Sequence, residues 1–414
     1  MHDVLKYLIS DIYRMNVVEV STKQDRREFI DLPKRLYRDD PYWVCPLDSE
    51  IENIFDPSKN HAFRDGVAKR WILKDGKTTI GRVAAFIDRR RSAANKQPTG
   101  GMGFFEVEEN REAAFVLFDT VRQWLYSRGM EAMDGPINFG ENDNHWGLLV
   151  EGYVQQAYGM PYNKKYYRDF FEAYGFKNYF EQYSNHRSVR NEKNEIVVFP
   201  ERFMRIAERI SKRPGYSFRH FQFRESKKFI DDICEIYNST WVYLKDDFTP
   251  IDPVILEESL RKARMLIDEE LIWFAYLDNK PVGFFVFYPD ANQILKYFNG
   301  KMNLLNMIRF LYYKRKGLIT RARAVVGGVH HEHQNKGIES AMFFKLYQAF
   351  KKKEWLKELE LSWVGDYNPK MSALYNALGA VRAKKHITYR YMINDKIPFK
   401  RYVDELSEKE QDKA

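Results

Sequence analysis

A chain of 414 residues exceeds the roughly 250 to 300 residues at which one hydrophobic core stops growing, so two domains are expected. With 44% hydrophobic and 30% charged residues, wholesale disorder is excluded, and only the end, Asp404 to Ala414, has the composition of a solvated tail. The net charge of +9 favours an acidic partner, whether nucleic acid, anionic membrane or phosphate-bearing cofactor, without choosing among them.

At the N-terminus, "MHDVLKYLISDIYRMN" has acids on both sides of a short apolar patch and no small-residue cleavage site, so no signal peptide is expected. Cys45 and Cys234 show no CxxC spacing, which argues against a disulfide framework and a cysteine metal site and fits a cytoplasmic protein. No apolar run approaches the ~18 residues of a spanning helix.

Trp71 to Ile87 reads as a β-hairpin, and the basic loop that follows, Asp88 to Lys96, has no interleaved aromatics, so no nucleic acid partner is expected. "EVEENREAAF", Glu106 to Phe115, places acids and no glycine at a strand-to-helix turn, a poor place for phosphate. After an extra loop, Asp134 to Pro161, comes "NKKYYRDFFEAYGF", an asparagine, a short aromatic helix and a glycine.

The stretch from Ser188 to Gly215 gives a polar segment, a linking helix and an Arg-Pro-Gly stop. Beyond it the same grammar returns. A second hairpin runs from Trp273 to Tyr288, and "NPKMSALYNALGA" from Asn368 repeats the asparagine, helix and glycine. The two tryptophans stand 202 positions apart, the asparagines 205 and the glycines Gly175 and Gly379 204. Agreement of order and spacing predicts a tandem repeat: a domain over 1–188, a connector over 189–214, a second domain over 215–395 and a polar tail over 396–414. Each half alternates strands and helices, predicting an α/β sandwich around a mostly antiparallel sheet.

The second half has its own insertion, Gly300 to Gly317. Leu304, Met307, Ile308 and Leu311 follow helical spacing and Lys314, Arg315 and Lys316 close it. Such a helix lies on an anionic membrane, covers a lipid tunnel or packs on its own domain.

"VVGGVHHEHQNKGIESAMFFKL", Val325 to Leu346, is a β-branched run, a histidine-rich turn, a glycine and an amphipathic helix. Unpaired N–H groups at a helix start carry the positive end of its dipole and attract phosphate, and glycine at 337 permits close approach. Gln334 and Lys336 add a donor and a charge. His330, His331 and His333 form a cluster, but His-His-Glu-His is not the spacing of a HExxH zinc site, so a solvated turn and no metal is expected.

"QNKGIE", the strand "ELSWV", Asn368, Tyr375 and Gly379 together resemble the acyl-CoA core of the GNAT N-acyltransferase superfamily over about Tyr216 to Met392. Glu339 departs from the small residue usual there. With "GGMGFFEVEEN", "GPINFGEND", "GLLVEGY" and "MPYNKKYY", that departure resembles a bacterial subgroup of tandem GNAT-like proteins that includes bacterial ceramide synthases. The resemblance implies two tandem GNAT-like domains, the first a degenerate copy that shapes the substrate site. It implies N-acyl transfer from acetyl-CoA or a long-chain acyl-CoA, or from acyl carrier protein, to a primary amine such as a sphingoid base.

The same resemblance places the donor on Val329, Gln334, Asn335, Lys336, Gly337, Ile338, Glu339, Ser340 and Asn368, and makes Tyr375 the general acid. The base is open among Asp366, Glu360, His330 and, across the domain interface, Asp143 or Glu151. A lipid acceptor implies peripheral contact with the inner face of a membrane through 300–317. The competing readings are acetylation of a small amine or protein lysine, a non-catalytic scaffold, and aminoacyl transfer from charged tRNA, against which the phosphate turn weighs.

Overall fold

The computed structural model describes residues 15–89, 97–140, 145–241 and 250–412. The first half contributes strands β1 (Met15–Glu19), β2 (Gly66–Asp75), β3 (Thr78–Asp88), β4 (Thr99–Val107), β5 (Ala132–Gly135), β6 (Leu148–Glu151) and β7 (Lys177–Ser188). The second contributes β8 (Tyr216–His220), β9 (Ile272–Leu277), β10 (Lys280–Pro289), β11 (Arg321–Val329), β12 (Glu358–Gly365) and β13 (Val381–Met392). Both hairpins read from the tryptophans are present, as β2–β3 and β9–β10.

All thirteen strands join one sheet in the order β1-β2-β3-β4-β5-β13-β7-β12-β11-β10-β9-β8, with β6 paired to β13. Matching β1–β5 with β8–β12, and β7 with β13, makes this order the same from either end. In each half the fourth and fifth strands pair in parallel, β4 with β5 and β11 with β12, and the other pairs of the sheet are antiparallel. The halves exchange their last strands: β7 pairs with β12, and β13 with β5. A cut at Ser188 would therefore leave β7 apart from half of the sheet it completes.

Helices α1 (Lys23–Leu36), α2 (Asp48–Ile54), α3 (Arg111–Tyr126) and α4 (Tyr167–Tyr174) flank the first half. The connector forms α5 (Glu201–Ser211), and the second half carries α6 (Ser226–Trp241), α7 (Pro253–Ala263), α8 (Asn292–Leu295), α9 (Leu304–Arg315), α10 (Ile338–Lys351) and α11 (Pro369–Ala377). Strand alternation explains the layers. Ala322 and Ala324 of β11 join a core with Phe343 and Tyr347 of α10 and Phe203 of α5, whereas Arg321 and Arg323 point to the opposite face.

The expected solvated tail is instead a helix, α12 (Tyr402–Asp412). Tyr402 packs against Tyr179, Phe180 and Tyr367, and Glu405 accepts from Tyr179 Oη at 2.7 Å and pairs with Arg390 at 3.1 Å. One aromatic anchor and one buried cation suffice to dock a segment whose overall composition is polar. Among the described residues no helix is long and apolar enough to cross a membrane.

Candidate active site

Parallel pairing of β11 with β12 runs only from Arg321↔Glu358 to Arg323↔Glu360. Beyond this point the two strands part, and β11 continues to Val329 bonded to β10 alone. A fork of this kind leaves main-chain N–H and C=O groups on one edge of β11 directed into the gap, ready to pair with an extended ligand. The first half has the same parallel pair, β4 with β5 over Thr99–Gly101. There the gap is filled: Ile137 N–H donates to Met102 O at 2.9 Å, and a Cβ on Gly103 would lie 2.1 Å from Ile137 O.

At the tip of β11 the chain makes a 3₁₀ turn, His331–His333, and enters α10 with Gly337 as N-cap, φ +80°, and no side-chain cap. N–H groups at the start of α10 therefore lack an intrahelical acceptor. The matching helix α3 is closed, because Asn110 Oδ1 accepts from Ala113 N–H at 3.0 Å. Glu106, within the acidic stretch, is buried and accepts from Tyr37 and Tyr167 hydroxyls, both at 2.8 Å.

Gly337 has a second, structural reason to be glycine. A Cβ there would lie 2.3 Å from Ile210 Cδ1 of α5, so any substitution tests packing as well as ligand binding. Gln334 Nε2 donates one hydrogen to Val329 O at 3.2 Å, which leaves its second hydrogen for another acceptor. Asn335, at φ +61°, and Lys336 are exposed beside the helix start. Ile338 is buried in the core, while Glu339 and Ser340 are half-buried.

Burial pushes the Glu339 carboxyl above its usual range, partly offset by its own N–H and by Lys370. A carboxylate thus stands at the mouth of the turn. Glu339→Gln is expected to tighten binding of a phosphate-bearing ligand by about five- to tenfold, the scale of one like-charge contact at partial exposure. Because the raised carboxyl takes up its proton at a higher pH than an ordinary glutamate, wild-type affinity should rise on acidification and the variant should not. Calorimetry against CoA at two pH values reads both effects, and a variant that binds more weakly would refute the repulsion.

The four candidate catalytic side chains do not converge. Tyr375 lies on α11 inside the core with Phe343, Tyr347 and Leu378, and burial pushes its hydroxyl above the ordinary tyrosine range. Asn368 caps α11, accepting from Met371 N–H at 3.2 Å. Asp366 follows β12 and is bound to Arg401 at 2.6 Å; burial raises its carboxyl against the pull of that arginine. Glu360 is buried and accepts from Lys384 Nζ with both oxygens, at 3.0 and 2.9 Å, which removes it as a free base.

His330 Nδ1 accepts from Glu332 N–H at 3.3 Å and caps the 3₁₀ turn, and His330, Glu332 and His333 hold ligand atoms within 4.8 Å of one another. Glu151, at the end of β6, stands 3.9 Å from Lys385 and is exposed. Asp143 lies outside the described residues, as does most of the basic loop, 90–96.

The structure adds a set of residues that sequence reasoning missed. The first-half loop after Ile137 crosses onto the polar face of the second half. Tyr158 N–H donates to Asp290 at 2.8 Å, Asn292 to Gln156 O at 3.1 Å, and Arg323 to Tyr158 O. Under this roof Trp146 packs on Trp363 of β12 and on His386 of β13. His386 Nε2 donates to Pro161 O at 3.3 Å, so Nδ1 carries the lone pair, and burial depresses the ring to about 3. The alternation in "RARAVV" and "KKHITYR" announces strands with a charged face. It does not say that a loop more than a hundred residues away buries that face.

No family model matches the sequence. The chain is 24% identical to "Protein YghO" of Escherichia coli (strain K12) over 380 residues, 90% of this chain and 94% of that protein. It is 25% identical to "Bacterial ceramide synthase" of Caulobacter vibrioides over 389 residues, 91% of this chain and 97% of that protein. Among solved structures it resembles a tandem GNAT protein from the clavulanic acid biosynthesis pathway, with a TM-score of 0.55 at 11% identity, covering 93% of this chain and all of that one. Two halves in one palindromic sheet, each with a forked parallel pair, and this match along the whole length agree: the chain has the tandem GNAT fold.

Proposed function

We propose that this protein transfers an acyl group from a CoA thioester to a primary amine, with the donor held by the second half. The observation that carries the reading is the contrast between the halves: among the described residues the β11–β12 fork has no backbone bridging it and α10 no side-chain cap, while the β4–β5 fork is filled and α3 capped. N–H groups from Asn335 to Ser340, helped by Lys336, would hold the pyrophosphate, and the edge of β11 from Gly327 to the Val329 N–H would hold the pantetheine arm, the Val329 carbonyl being taken by Thr240 and Gln334. In the reaction the amine nitrogen attacks the thioester carbonyl carbon, the C–S bond breaks, the departing thiolate takes the Tyr375 proton, and the ammonium proton passes to solvent or to a base within reach.

The likeness to a protein named bacterial ceramide synthase supports a long-chain acyl group and a lipid amine. The exposed apolar helix α9 supports an acceptor met at a membrane face through 300–317. Calorimetric titration with CoA, acetyl-CoA and palmitoyl-CoA tests the donor, followed by mass analysis of products with a sphingoid amine. Palmitoyl-CoA is expected to bind most tightly and to acylate the amine. Efficient use of acetyl-CoA alone would favour acetylation of a small amine, and no binding by any of the three would remove CoA as the donor and leave an acyl carrier protein or a scaffold.

A further inference from the structure

Helix α9 rests on the body through Asn306 and Phe310, which are buried. Its outer side is apolar: Leu304, Leu305, Ile308 and Tyr312 are 71%, 65%, 58% and 55% exposed. From Lys296 to Lys316 the chain carries six basic residues and no acid. Exposed leucines in a segment whose charges are all positive fit the boundary of an anionic bilayer, where the apolar side enters the acyl region and the cations meet phosphates.

The same segment runs into a cavity of about 420 Å³ on the first half. Gly300 O accepts from Asp48 N–H at 2.8 Å, which fastens the segment to the loop before α2 and places Lys301 on the cavity wall. Facing it is one side of α1, where Lys23, Arg26, Arg27 and Lys34 recur at helical spacing. The three carboxylates of the wall are engaged: Asp31 and Asp48 by Lys34 at 3.1 and 2.8 Å, and Glu52 by Arg70 at 2.9 Å. Lys23, Arg26 and Lys301 have no ion pair among the described residues. Since the start of α1 is closed by the Thr22 capping box, the attraction for an anion comes from these side chains and not from the helix dipole.

We infer that α9 and this cavity form one membrane-docking face, with α9 seated at the acyl boundary and the cavity taking the headgroup phosphate of an anionic phospholipid. The inference rests on the lipid reading above for its choice of a membrane, but it concerns attachment and is tested apart from acyl transfer.

Flotation of the full chain with phosphatidylcholine vesicles, with and without phosphatidylglycerol, is the experiment. Wild type is expected to favour the anionic vesicles by tenfold or more. Arg26→Glu with Lys301→Glu should lose that preference, at about fivefold per cation removed. Leu304→Asp with Ile308→Asp should abolish binding to both vesicles, and circular dichroism melts should match wild type for both variants. Equal binding of wild type to both vesicles, or a cavity variant that keeps the preference, would overturn the proposal. Displacement by millimolar inorganic phosphate would do so too, by making the ligand free phosphate. Palmitoyl-CoA titration of the same proteins separates the readings: retained thioester binding with lost flotation supports attachment as a distinct role, and absent thioester binding in wild type defeats only the acyl-transfer reading.

Discussion

Tyr375→Phe is expected to lower kcat by about 10²- to 10⁴-fold, the usual range for loss of a general acid, with KM for the thioester nearly unchanged. The hydroxyl is the one polar atom removed, and the ring keeps its place in the core cluster that also holds Phe343 and Tyr347. Burial raises its proton affinity, so at neutral pH it holds the proton that a departing thiolate needs. Thermal unfolding should be as in wild type or slightly higher, because a buried hydroxyl is exchanged for hydrogen. Full activity in the variant would reduce Tyr375 to a core aromatic and leave thiolate protonation to solvent.

Lys384→Met should cost about 3 to 5 kcal/mol of stability, the penalty for leaving one member of a buried ion pair alone. Glu360 and Lys384 are both 2% exposed at the side chain and join β12 to the exchanged strand β13. In the variant the Glu360 side chain stays buried with its hydrogen-bonding cation gone, which costs free energy only when the carboxyl is charged. The penalty is therefore absent at low pH, appears as pH rises past the unfolded carboxylate value and persists at neutrality. Chemical denaturation across that range reads the slope. Adding Glu360→Gln should recover part of the loss, since Arg321 also interacts with Glu360. A pH-independent loss would assign the effect to packing instead.

The catalytic candidates were less legible than the turn at Gly337 for a physical reason. That turn is local, and a strand, a glycine and a helix start within a dozen residues can be recognised wherever they occur. Asp366 and Glu360 were singled out as titratable groups near the right strand. Whether such a group is free depends on partners far off in the chain, here Arg401 and Lys384. Gln334 and Asn368 likewise carry the expected residue types but use their side chains on the backbone, one on Val329 and one on Met371.

By itself the sequence determined the repeat, both hairpins, the α/β class and the glycine-bearing strand-to-helix turn that the first half lacks. Each of these is written in periodicity, turn residues and helix starts, which act over a few neighbours. Only the tertiary structure decided that β7 and β13 change places, that a first-half loop roofs the polar face of the second, and that α12 is docked. It also decided that α9 turns its leucines outward. Amphipathic spacing marks which residues share a face; what covers that face is settled by contacts between segments distant in the chain.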